Sequence, residues 1–219
     1  MGWANKLLGW TDSVGAEVNS EGALYTVNID SSGTHYTVAT KTATIAAAAA
    51  AGATVFAMRL DPGAGAKRAW IDSMTLRWTT ITAFTTAITA GRSLVITRGT
   101  GAAASGGTAI ASATKKDSSY ASSEFDSSLG GDMRVASTGA LTVTGITFES
   151  VNLAEMTLTH VGAAGAYYET IYEISVRNHP VELVAGEVLA VRVGASTMDA
   201  AGTWQLGVEV NWRESDVEG

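Results

Sequence analysis

The stretch WQLGVEVNW, residues 204–212, sets Trp204, Leu206, Val208, Val210 and Trp212 at every second position, with Gln205, Gly207, Glu209 and Asn211 between them. Side chains of a strand point to alternate faces, so this spacing buries one face and leaves the other to solvent. A helix would need apolar residues every third or fourth position. The stretch therefore predicts a half-buried β-strand. Working outward, the same period recurs. Residues 188–193 read as a strand, reached from a short one at 181–184 through the turn Ala185-Gly186-Glu187. Tyr168, Thr170, Tyr172, Ile174 and Val176 line one face of a third strand, which stops before Asn178-His179-Pro180. Residues 141–148 and 151–160 read as two strands joined tightly at Glu149-Ser150.

In the first half, 23–29 and 34–40 read as a hairpin around Asp30-Ser31-Ser32-Gly33. Residues 54–60 run into the turn Asp61-Pro62-Gly63. Residues 69–80 follow, with Trp70, Met74, Leu76 and Trp78 in phase, and then 84–88 and 93–98. The total is roughly ten to twelve strands, separated by Gly-rich turns. Pro62 and Pro180 both fall at strand ends, where a missing N–H does no harm. The alanine run 46–51 suits a helix by propensity but is too short to hold one unaided, so helix and loop both remain open. Loops 99–109 and 117–131 are rich in Gly, Ser and Ala and would read as flexible linkers in a chain standing alone. The expected fold is all-β: a β-sandwich of jelly-roll type with a short N-terminal helical or extended arm. The domain reading is an arm at 1–22, one sandwich at 23–214 and an acidic tail at 215–219. An immunoglobulin-like sandwich is disfavoured, because 219 residues is about twice its size.

Composition narrows the function. Only 16% of the 219 residues are charged, 14 basic and 21 acidic, for a net charge of −7. A soluble domain ordinarily carries about a quarter of its residues as charges. An acidic balance argues against gripping phosphate backbones, which takes clustered Lys and Arg, so no direct nucleic-acid partner is expected. The absence of cysteine excludes disulfides, thiolate metal sites and thiol nucleophiles. The longest uncharged stretch, between Lys41 and Arg59, is alanine-rich and short for a membrane span, and MGWANKLLGW at the start has no apolar signal core. Lys6 stands where a myristoylation signal needs Ser or Thr. A soluble chain with no membrane partner is expected, and the shortage of charge then points to a surface covered by partners.

Catalytic patterns are weak. His35, His160 and His179 stand singly, without metal-ligand spacing. Gly63-Ala64-Gly65-Ala66-Lys67-Arg68 lacks the spacer and Lys-Ser/Thr ending of a phosphate loop, and reads as a turn bearing two cations. Glu169 and Glu173 share a face of the expected strand, but their backbones stand ~13 Å apart, too wide for paired-carboxylate glycoside hydrolysis. The loops 30–33 and 199–202 each offer one carboxylate, which turn chemistry explains. Trp70, Trp78, Trp204 and Trp212 alternate with aliphatic residues and read as core. Trp3, Leu7 and Trp10, spaced i, i+4, i+7 with Leu8 adjacent, form an amphipathic stretch too short to bury itself; these four are the candidate partner contacts, on this domain or on a neighbour. No catalytic, metal or cofactor residue is assigned, and no cofactor is expected.

Several stretches resemble virion structural proteins of tailed bacteriophages: FTTAITAGRSLVITR at 84–98, SGGTAI at 105–110, STGALTVTGITFE at 137–149, PVELVAGEVLAVRV at 180–193 and AGTWQLGVEVNWRE at 201–214. The resemblance spans residues 68–214 and lies in pattern and order; the first 40 residues and the alanine run fall outside it. It implies a jelly-roll subunit serving as a capsid decoration or cement protein, a head fibre or a tail component, with no catalytic residues to carry over. The expected function is thus a non-enzymatic virion protein, assembled in the host cytoplasm. It would form a homo-oligomer, a trimer being the first candidate, and contact the major capsid protein or other virion subunits. The alternative is a fibre or tail adhesin that binds host glycan through exposed aromatics such as Tyr120 or Tyr167.

Overall fold

A computed structural model describes residues 33–45, 48–85, 91–158, 165–173, 180–198 and 201–216, with the backbone alone at 165–173 and 216, and also the backbone of 17–18 and 24–25. By internal contacts the chain divides into residues 1–33 and 34–219. In the first unit β1 (Glu17–Val18) pairs antiparallel with β2 (Leu24–Tyr25). The expected hairpin of 23–29 with 34–40 is not formed by its described residues: Leu24 and Tyr25 pair with β1, and 34–41 has other partners.

The second unit is all-β: β3 (Thr34–Lys41), β4 (Thr54–Arg59), β5 (Lys67–Thr82), β6 (Ser93–Gly101), β7 (Thr108–Ala109), β8 (Thr114–Lys115), β9 (Asp132–Val135), β10 (Ile146–Phe148), β11 (Ala154–Thr157), β12 (Gly165–Glu173), β13 (Val181–Leu183), β14 (Glu187–Val193) and β15 (Thr203–Asp216). They make two antiparallel sheets packed as a sandwich. Sheet I runs β10-β6-β14-β4-β9-β7 with β11 also on β6; sheet II runs β12-β5-β15-β3-β8 with β13 also on β5. The stretch 204–212 lies at the centre of sheet II, between β5 and β3. Its inward residues carry the core: Trp204 stacks on Trp78 at 4.3 Å, Trp212 on Tyr36 at 5.8 Å, and Phe125 meets Trp212 edge-on at 5.3 Å. Such contacts add about 0.5–1.5 kcal/mol each beyond area burial.

Three details bear on the sequence reading. Residues 141–148 and 151–160 do not reverse at Glu149-Ser150. β10 and β11 run in one direction along β6, and the five residues 149–153 bulge against Thr97 and Arg98. Glu149 N–H donates to Arg98 O at 2.9 Å and Leu153 N–H to Ile96 O at 2.8 Å, so the break in alternation is a bulge in one edge strand. β12 and β13 likewise lie along the single strand β5. Phe84 and Thr85 are not in a strand; Phe84 is instead a buried plug on which Gly202 packs so closely that a Cβ there would come 2.3 Å from the ring.

The Gly/Ser-rich stretch between β6 and β10 is built into the sheets. It places β9 and β7 on sheet I and β8 on sheet II, extending both sheets beyond β4 and β3. Ser123, Glu124, Phe125 and Asp126 are buried within it. Of the alanine run, the described residues 48–51 are loop: Met198 N–H donates to Ala49 O at 2.8 Å, and Ala48 adopts a left-handed φ of 63°.

Candidate interaction surface

The inward faces are fixed by a void of about 10 Å³ between the sheets, lined by Ile71 and Met74 of sheet II and Ile96 and Leu189 of sheet I, with Leu153 and Val181. Alternation from these residues assigns the outward ones. In sheet I the outward positions are small or β-branched and nevertheless buried: Ala190 at 0%, Thr97 at 0%, Val188 at 1%, Ala57 at 2% and Val95 at 5% exposure. Arginines border them. The Arg192 guanidinium lies 4.1 Å from the Phe148 ring centroid, its Nε donates to Gly52 O at 3.1 Å, and burial pulls it below its ordinary pKa. Arg134 Nε donates to Asp132 Oδ1 at 2.9 Å. Burial raises the Asp132 carboxyl above the ordinary range, and Arg134 and Arg59 oppose that rise.

Sheet II is different. Its outward positions on β15 are Gln205, Gly207, Glu209, Asn211 and Arg213, all half-buried. Beside them stand Ser73, Thr75, Arg77 and Thr79 of β5 and His35, Thr37, Ala39 and Lys41 of β3. Most are small and uncharged, so the face is low-relief. Its charges largely neutralise one another: Arg77 Nη2 lies 3.5 Å from Glu209 Oε2, and Arg213 Nε 3.4 Å from Asp72 Oδ1, a charge contact without hydrogen-bond alignment. Burial raises the Asp72 carboxyl, against the pull of Arg213 and then His35. Asn211 Nδ2 donates to Ser73 Oγ at 3.0 Å. At the centre, the missing side chain of Gly207 leaves a dish of about 290 Å³ walled by Ala39, Lys41, Arg77, Thr79 and Glu209.

Asp72 explains a misreading. Trp70 is in phase with Met74, Leu76 and Trp78 in sequence, yet the β5–β15 register slips between Asn211–Ser73 and Trp212–Ile71. Asp72 is the extra residue. It reverses the alternation, so Ala69 and Ile71 turn inward and Trp70 turns out, half-buried, with the Arg213 guanidinium 5.8 Å from its ring centroid. Trp78, Trp204 and Trp212 are core as expected, at 0–1% exposure. A second slip in register lies between Thr170 and Tyr172 on β12, within the stretch expected to alternate without a break; residues 174–176 of that stretch lie outside the described residues.

The other candidates fall as follows. Trp3, Leu7, Leu8 and Trp10 lie outside the described residues, as do His160, His179 and Asp199. His35 stands alone on the outward face of β3, and among the described residues no group of three or more acidic or histidine side chains is placed to hold a metal ion. Lys67 pairs with Glu124, and Arg68 Nη1 donates to the carbonyls of Gly65, Ala66 and Lys67, so the turn's two cations are engaged locally. Tyr120 is half-buried against Tyr36 at 6.4 Å, and Tyr167 is on strand β12 opposite Trp78 rather than in a loop. No aromatic lines the dish. The surface offers broad, nearly neutral contact with a shallow centre. In comparisons with known proteins, no family model, no curated protein and no solved structure matches the chain.

Proposed function

We propose that this chain is a non-enzymatic structural subunit of a phage virion, a capsid decoration or cement protein that associates with further copies of itself through the outer face of sheet II. The sandwich is read as a jelly roll. With collinear segments merged and the insertion strands β7, β8 and β9 set apart, eight strands remain, and the first pairs with the last: β3 with β15, β4 with β14, β5 with β12/β13 and β6 with β10/β11. That is a long hairpin, and rolling it brings β15 onto β5 and β14 onto β6, the two remaining contacts among these eight strands.

The observation that carries the interface is the face itself, whose Arg77 and Arg213 are already paired with Glu209 and Asp72 within one subunit and most of whose other residues are small and uncharged. Docking such a face strands few charges. A trimer is the first candidate state, with the major capsid protein or other virion subunits as further partners, and a subunit that binds only the assembled lattice stabilises it by mass action. The test compares particles carrying the chain with particles lacking it. Loss of heat resistance on removal supports cementing; equal resistance contradicts it. Trp70 gives the adhesin reading its own observation, a half-exposed indole on the same face. Glycan binding that disappears in Trp70→Ala would favour that second reading.

A further inference from the structure

We propose that residues 111–131 form a strap whose closure on the β3–β15 side of sheet II is controlled by protonation of Glu214. Most of the strap is exposed; its buried side chains lie in one turn, 123–126. Glu214, near the end of β15 and 4% exposed, receives three donors. Ser123 Oγ donates to its Oε1 at 2.6 Å, Trp212 Nε1 to the same oxygen at 2.8 Å, and Glu124 N–H to Oε2 at 2.9 Å. Further holds lie around it: β8 pairs with β3, Lys67 pairs with Glu124, Tyr36 O–H donates to Ala121 O at 3.1 Å, Lys116 N–H to His35 O at 2.9 Å, and Asp61 N–H to Glu124 O at 3.0 Å.

The groups facing Glu214 make its charge decisive. From the strap come Glu124, 7% exposed, and Asp126, 3% exposed and holding Ala113 N–H at 2.7 Å. β5 contributes Lys67, engaged with Glu124; β3 contributes Tyr36; the turn after β4 contributes Asp61. The Lys67 ammonium pairs with Glu124, and the Glu124 charge acts on Glu214. Burial first, and the Glu124 charge with it, raise the Glu214 carboxyl, against the pull of its three donors. When Glu214 takes up a proton on Oε1, its O–H donates to Ser123 Oγ with the bond simply reversed, and the contacts from Trp212 and Glu124 persist. The closed strap therefore binds this proton more firmly than the open one. Closure is favoured at low pH and weakens as pH rises through the raised value.

Amide hydrogen exchange on the full chain, corrected for intrinsic rates, tests this. Protection of the Glu124, Phe125, Asp126 and Gly131 amides should fall roughly three- to tenfold between about pH 5 and pH 8, while amides in β5 and β15 hold steady. Glu214→Gln should abolish the dependence. Glu124→Gln keeps the backbone donor but removes the like charge, so it should move the transition to lower pH, and it carries the test if Glu214→Gln does not fold. A flat wild-type profile, strap and core falling in parallel, or an unmoved transition in Glu124→Gln would overturn the proposal.

Discussion

The two outer faces of this sandwich are built from the same kind of strand and end in opposite conditions. On sheet I, Ala57, Thr97, Val188 and Ala190 point away from the void between the sheets and are still buried, so β4 and β14 are enclosed on both sides. On sheet II, Arg77, Glu209, Asn211 and Arg213 occupy the equivalent positions and remain half-open or exposed. Enclosure on both sides makes a strand a continuous apolar run, as in 55–58; a strand with one free face alternates, as in 204–212. The composition reflects both: small apolar residues fill one outer face, and small polar residues the other.

The sharpest way to break the comparison is to place the same charge on each face. Ala190→Asp buries an unpaired carboxylate and should cost several kcal/mol, on the order of 3–5. Thr79→Asp should change unfolding by less than about 1 kcal/mol. Urea titrations of the two variants check the contrast; equal costs would erase it. Next comes the same residue type on the two sides of one sheet. Trp204→Ala should cost about 3–5 kcal/mol, because it removes a fully buried indole stacked on Trp78. Trp70→Ala should cost roughly 1 kcal/mol or less, the bulge at Asp72 having turned that side chain outward.

The fold was legible in sequence where one face was buried and the alternation ran unbroken, as at 204–212, and the hydrophobic character of the three core tryptophans followed from it. What escaped were single inserted residues. Asp72 carries no mark in sequence, since Trp70 stays in perfect phase with Met74 and Trp78, and only pairing against Asn211 and Trp212 exposes the slip. The bulge 149–153 reads as a turn because a bulge and a reversal interrupt alternation in the same way. The buried turn 123–126 escaped because its Gly/Ser-rich surroundings look disordered and its partner, Glu214, is 90 residues away. The outer face of sheet II was partly legible: the polar positions of β15 are plain in the sequence. The dish at Gly207 and the pairing of Arg77 with Glu209 depend on the neighbouring strand.

Smaller effects sharpen the comparison at its two outward aspartates. Burial raises both Asp132 on sheet I and Asp72 on sheet II, so each native carboxyl holds its proton more firmly than the unfolded chain does. Stability from this source is fully present below the unfolded carboxylate pKa and is lost as pH rises through the raised values. Asp132→Asn and Asp72→Asn should each flatten that part of the stability–pH profile, measured by denaturant midpoints. The smallest change belongs to Arg77→Ala, whose exposed ion pair with Glu209 should contribute no more than about 0.5 kcal/mol to unfolding.

The central claim, that the outer face of sheet II is where copies of this chain meet, is tested most directly by sedimentation velocity on the wild type and on Thr79→Asp. The account predicts an oligomeric wild type and a Thr79→Asp variant that sediments as a monomer while unfolding at an almost unchanged denaturant concentration. A wild type that stays monomeric at every concentration, or an oligomer untouched by a charge at Thr79, would contradict it.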